Sequence, residues 1–168
     1  MSESVIAIII SVAALCVAVF NRFFPGKKEV KEEPKTSSFN TIPLQLQAYE
    51  RLALFCERIA IPNLISRISH PQANAQEMRA LLIEHIKQEF EYNASQQIYV
   101  SKVAWDAVRN LRDQSLLIIN QVANVMPPDA SATELNKNLL EVMMNHQDAA
   151  LHTIVSDALN FEAKKLMS

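Results

Sequence analysis

Four histidines, His70, His85, His146 and His152, and one domain cysteine, Cys56, are the side chains from which a metal site or a nucleophilic centre would have to be built. A helical metal site needs two ligands three or four residues apart on one face, or the Glu-x-x-His pair of di-iron bundles. No Glu-x-x-His occurs, and His146 and His152 are six apart, so they diverge around a helix. Asp148 and His152 stand at i, i+4, which reads as a helix-surface pair. Glu84, Glu89 and Glu91 cluster near His85, but acid–base work demands a cleft and separated pKa values. They read as a solvated helix face, with His85 at its boundary held by a backbone or carboxylate partner. Cys56 follows Phe55 on an apolar stripe and reads as buried and inert. No catalytic residue, metal or cofactor is expected, and the chain does not read as an enzyme.

The most promising polar group is Gln96, Gln97, Tyr99 and Ser101, just ahead of a helix that starts at Lys102. Unpaired backbone donors at a helix start favour an acceptor, so these residues form a candidate contact site for a peptide or small polar ligand. Their other role is to pin the connection and cap the helix. Trp105, the only tryptophan, sits among apolar positions at helical spacing and reads as core rather than as a binding anchor.

All of these groups ride on helices. The chain has a single glycine, Gly26, so the 142 residues from Lys27 to Ser168 contain none. Phosphate-binding loops, nucleophile elbows and type I′ hairpins depend on glycine and are excluded on that ground. A first helix is expected from near Thr41–Pro43 to about Ala60, with Leu52, Phe55, Cys56 and Ile59 facing a core. Glu50-Arg51 and Glu57-Arg58 echo each other seven residues apart. Pro62 opens a short piece, Asn63 to Ser69. Asn74 and Glu77 form a capping box for a second long helix carrying Met78, Leu81, Leu82, His85, Ile86 and Phe90.

Asn93 to Val100 reads as an ordered, extended connection. Ser101 caps a third helix, Lys102 to Met126, with Trp105, Val108, Leu111, Ser115, Ile118 or Ile119, Val122 and Val125 inward. Its run Leu116 to Ile119 is apolar all round, as in the most central helix of a bundle. Pro127-Pro128 ends it. Ser131 and Glu134 then cap a last helix to about Lys165, with Leu135, Leu139, Val142, Met143, His146, Ala150, Ile154, Ala158 and Phe161 in line. Asn145 to Asp148 is its one candidate interruption.

Ahead of this domain stands a different kind of segment. Val5 to Phe20 is nearly unbroken apolar sequence, and extended to Phe24 it is long enough to span the roughly 30 Å core of a bilayer. It lacks the basic start of a cleaved signal peptide. Arg22, Lys27, Lys28, Lys31 and Lys35 follow it and no basic residue precedes it, so the positive-inside rule places the amino terminus outside. From Asn40 onward, 11 Lys and Arg against 14 Asp and Glu leave a net charge of −3, so no nucleic-acid footprint exists. Cys16 and Cys56 make no disulfide framework, as suits a reducing compartment.

The segments Leu46 to Leu52, Glu57-Arg58, Pro62 to Leu64 and Gln96 to Ser101 leading to Trp105 resemble an uncharacterised bacterial family of short proteins. Its members have one membrane helix and a helical cytoplasmic domain, and the resemblance covers most of Leu44 to Val125. It implies no activity, cofactor or site residue.

The expected organisation is all-α. Residues 1–4 are extracytoplasmic, 5–24 a transmembrane helix in the inner membrane, 25–43 a polar linker, and 44–168 a cytoplasmic bundle of about four longer helices and one short one. The expected function is a membrane-tethered interaction or scaffold module that binds another protein or itself. The competing reading is a helical subunit holding a lipid or small apolar ligand within the bundle. Leu135, Leu139, Val142, His146, Ala149, Thr153 and Phe161 trace a poor heptad seam, so only weak self-association is expected. Deleting residues 1–24 should leave a soluble helical domain that melts cooperatively by circular dichroism; retention in the membrane pellet would contradict this.

Overall fold

The computed structural model describes residues 40–68, 70, 72–145 and 148–167, and those from Asn40 onward form one compact unit. The apolar segment 5–24 and the linker up to residue 39 lie outside the described residues. Among the described residues, no helix is long and apolar enough to cross a membrane.

The described chain is all-α. Its helices are α1 (Ile42–Ile59), α2 (Ile61–Arg67), α3 (Ala75–Asn93), α4 (Lys102–Asn124), α5 (Ala132–Asn145) and α6 (Asp148–Met167), with a 3₁₀ helix at Ala94–Ile98. Five are long and one is short, because the expected last helix is two. α1 packs chiefly on α6 and α3 and also touches α2 and α4, while α4 touches α1, α3, α5 and α6, so the expected central position of α4 is shared with α1 and α3.

Sequence pattern explains most of the burial. Leu52, Phe55, Cys56 and Ile59 of α1 are all buried, as are Met78, Leu82 and Ile86 of α3 and Val108, Leu111, Ser115, Ile118, Ile119 and Val122 of α4. Phe90 is the joint between the three helices. Its ring meets Phe55 edge-on at 6.0 Å, stacks on Trp105 at 5.3 Å and carries the Arg112 guanidinium at 4.0 Å. The Glu-Arg echo also finds its reason here. Arg51 reaches Asn93, and Arg58 pairs with Glu89 at 2.6 Å, so two arginines seven residues apart on α1 fasten α3. Glu89 is therefore an ion-pair partner rather than part of a solvated face.

The corners are turned without a positive φ at any described residue. At the first corner Ala60 is extended, Pro62 stands in the opening turn of α2, and side chains of α2 satisfy the end of α1. Asn63 Nδ2 donates to Glu57 O at 2.9 Å and Arg67 to Arg58 O at 2.7 Å. Both expected capping boxes form: Asn74 with Glu77, and Ser131 with Glu134. The two caps also lie side by side. Ala75 N donates to Ala130 O and Ala132 N to Ala73 O, an antiparallel bridge that pins the starts of α3 and α5 together.

Several expectations are corrected. Ala94–Ile98 is a 3₁₀ helix instead of an extended connection, because without a neighbouring strand the backbone satisfies itself locally, as in Tyr99 N to Gln96 O at 3.0 Å. α4 stops at Asn124, so Val125 points outward and Ala123 is buried in its place. Leu117 is exposed, so the apolar run Leu116 to Ile119 is not covered all round. Trp105 is only partly buried, stacked at the core's edge. Beyond Asp148 the inward stripe is Val155 and Leu159, with Ile154, Ala158 and Phe161 outward, because the separate start of α6 resets the helical phase. Leu135 and Leu139, two of the seam residues, are spent in the core.

Asn74→Ala and Ser131→Ala should each cost about 1 kcal/mol. Because the caps share a backbone bridge, the double variant should depart from the sum by at least about 0.5 kcal/mol. Urea melts of the four proteins measure this, and strict additivity would show that the caps act independently.

Candidate functional site

The expected polar group occupies one end of the bundle, but its members face different surroundings. Gln96 is buried and donates to Ser95 Oγ at 3.2 Å, whereas Gln97 and Tyr99 are exposed. Ser101 Oγ accepts from Ala104 N at 3.0 Å, so its hydroxyl is occupied in capping α4. The Ser101 N–H is also taken, donating to Tyr49 Oη at 3.1 Å, while the Tyr49 hydroxyl donates to Glu162 at 2.5 Å. The turn is thereby fastened to α1 and α6. Burial, and next the Glu162 carboxylate that accepts its proton, hold the Tyr49 phenol above its ordinary value.

A second location brings together residues distant in sequence. A cleft of about 590 Å³ lies where the end of α5 and the start of α6 meet the middle of α4, with the α1–α2 corner beside it. Ala60, Ile61 and Pro62 contribute one wall, Leu111 and Ile118 the floor, and Leu140, Met143, Met144 and Leu151 the rest. The lining is mainly apolar, and its methionines can adapt to an irregular occupant. Cleft volumes of this scale are usual for small-molecule sites.

Asn63, Gln114, Ser115 and His152 are the polar residues of the lining. Ser115 Oγ donates to Leu111 O at 2.9 Å, so it is not held as a nucleophile by His152. His152 Nε2 is shielded from solvent and has no hydrogen-bond partner, although Glu57 Oε1 lies 3.4 Å away at a separation that makes an ion pair when the imidazole is protonated. Cys56, close by on α1, is buried, and loss of solvation pushes its thiol up to about 12. The arrangement is suited to binding an apolar body, with Asn63, Gln114, Ser115 and His152 as the few polar residues around it.

His85 finds the backbone partner expected of it, Leu81 O at 2.9 Å. Among the described residues no group of three His, Cys, Asp or Glu could hold a metal ion. The cleft is not legible in the sequence, because its walls come from four helices. The nearest signals were the Met143-Met144 pair and the interruption expected just after it.

Tyr49→Phe should destabilise the bundle by roughly 1–2 kcal/mol, since it leaves the Ser101 N–H and the Glu162 carboxylate without their shared partner. The phenol is raised above 10.0 in the folded state, so its contribution is present below pH 10.0 and is lost as pH rises through the folded value. Thermal melts between pH 8 and 11 should show a shallower alkaline decline in Tyr49→Phe than in the parent protein. Equal slopes would refute that assignment.

No curated protein and no solved structure matches the chain. One family model does, over residues 2–166, and so extends well beyond the Leu44 to Val125 stretch that carries the sequence resemblance. With nearly its whole length matched, the chain belongs to DUF7935, a family of unknown function.

Proposed function

We propose that this chain is a membrane-tethered helical binding module whose recognition element is the cleft between α2, α4, α5 and α6. The observation that carries the reading is the cleft itself: about 590 Å³, lined mainly by Leu, Ile, Met, Ala and Pro, with His152 as a polar contact. The occupant that fits is a lipid or small amphiphile with an apolar chain and a hydrogen-bonding head, because an apolar lining excludes a strongly hydrated molecule. The apolar segment 5–24, followed by its run of lysines, supports an anchor in the inner membrane with the bundle on the cytoplasmic side. Such an anchor gives a lipid-binding module direct access to its ligand.

A second reading, an interaction scaffold, has one structural support. Met144 on the cleft's lining is 85% exposed, and an apolar side chain from a protein partner seated in the cleft would cover it. The two occupants are separable by experiment. A photoreactive palmitate analogue added to the full-length protein in lipid nanodiscs should label the peptides containing Leu140–Met144 and Leu151. Met143→Trp, which fills the cleft, should cut that labelling about tenfold. Unlabelled cleft peptides, or labelling that Met143→Trp leaves unchanged, would overturn the lipid reading. Capture of one protein from crosslinked membranes, lost in Met143→Trp, would establish the scaffold instead.

A further inference from the structure

Leu54, Leu117, Val125, Met144 and Ile154 are exposed singly along the bundle, and a further set gathers at one end. Ile42, Tyr92, Ile98, Val103, Phe161 and Met167 are 39–74% exposed and occupy the same end of the bundle. Tyr49 establishes this placement, since its hydroxyl joins the start of α4 at Ser101 to α6 at Glu162. Seven residues before Tyr49, about 10 Å along α1, is Ile42. α6 runs antiparallel to α1, with Glu162 at Tyr49 and His152 at Glu57, so Phe161 and Met167 lie toward that same end. Ile98 and Val103 flank Ser101, and Tyr92 closes α3 immediately before the 3₁₀ turn.

The chain leaves the bundle at this end. Asn40 precedes α1, and residues 25–39 join it to the apolar segment 5–24. Fifteen linker residues reach at most about 50 Å, so an inserted anchor confines this end to the vicinity of a bilayer. The surface chemistry matches that neighbour. Exposed aromatic and aliphatic side chains, with Lys164 beside them on α6, are a composition that settles at the headgroup–acyl boundary. The charges at this end are mixed: Lys102 pairs with Asp106 and Glu162 accepts from Tyr49, while Glu50 and Glu91 are exposed, so the apolar side chains and not the charge carry the match.

We infer that this end of the bundle rests on a lipid surface, inserting Ile98, Val103, Phe161 and Met167 into the headgroup region. The inference depends on the membrane-tethered reading above. In that posture the ten steps along α6 from Glu162 to His152 set the cleft about 15 Å back from the contact.

The test reconstitutes the full-length protein, at low protein-to-lipid ratio, in phosphatidylcholine–phosphatidylglycerol liposomes carrying a phospholipid with a diazirine high in its acyl chain. Mass spectrometry maps the adducts. Adducts are expected in residues 5–24 and in the peptides holding Ile98, Val103 and Phe161. The triple variant Ile98→Ser, Val103→Ser, Phe161→Ser alters only exposed positions. It should keep its helical circular dichroism and its 5–24 adducts while losing the end adducts at least tenfold. Adducts in 5–24 without any at the end would overturn the docking and leave the anchor standing. End adducts without any in 5–24 would support docking and overturn the anchor, and no adducts at either place would overturn both. Unchanged end labelling in the triple variant would also refute the inference.

Discussion

Every described corner of this bundle is turned at negative φ. A chain without glycine beyond Gly26 has little access to the left-handed conformations that commonly close a helix, so each stop must be made by other means. The structure uses prolines, side-chain caps and a 3₁₀ turn. Pro62 starts α2, Asn63 and Arg67 cover the open carbonyls of α1, and the capping boxes at Asn74 and Ser131 start α3 and α5. These devices need room and polar groups, and they determine where the helices can lie.

Two surfaces of interest lie where the packing of these helices changes partners. α5 ends at Asn145 and α6 begins at Asp148, and the two diverge: α5 packs mainly on α3 and α4, and α6 on α1 and α4. Leu140, Met143 and Met144 of α5 and Leu151 and His152 of α6 line a cleft whose floor is Leu111 and Ile118 of α4. At the opposite end of α6, Tyr49 binds three elements through one hydroxyl, and the apolar residues beside it are left outside. A polar node in this position fastens the end and keeps its rim exposed.

Specificity inside the bundle rests on interactions that are modest singly and mutually dependent. Phe90 meets Phe55, Trp105 and Arg112, so its face of α3 has one orientation that serves both α1 and α4. Arg58 and Glu89 reinforce it with a pair whose carboxylate is largely sheltered and therefore less screened than a fully exposed one. Together these contacts set the register of α1 against α3.

The helices, their caps and most of their inward faces were legible in the sequence, because hydrophobic periodicity and capping chemistry act over four residues or fewer. Leu52 to Ile59, the Asn74–Glu77 and Ser131–Glu134 boxes and the Ser101 cap are all of this local kind. The all-α class followed from them. What the tertiary structure alone decided is long-range: the phase of α6 after its separate start, the bridge between two N-caps, the outward face of Leu117, and the union of Ala60, Leu111, Met143 and His152 around one cleft. The candidate polar site shows the division plainly. Its location ahead of a helix start was readable from Ser101, but the Tyr49 hydroxyl that occupies the Ser101 N–H comes from 52 positions away, a distance over which no local pattern carries information.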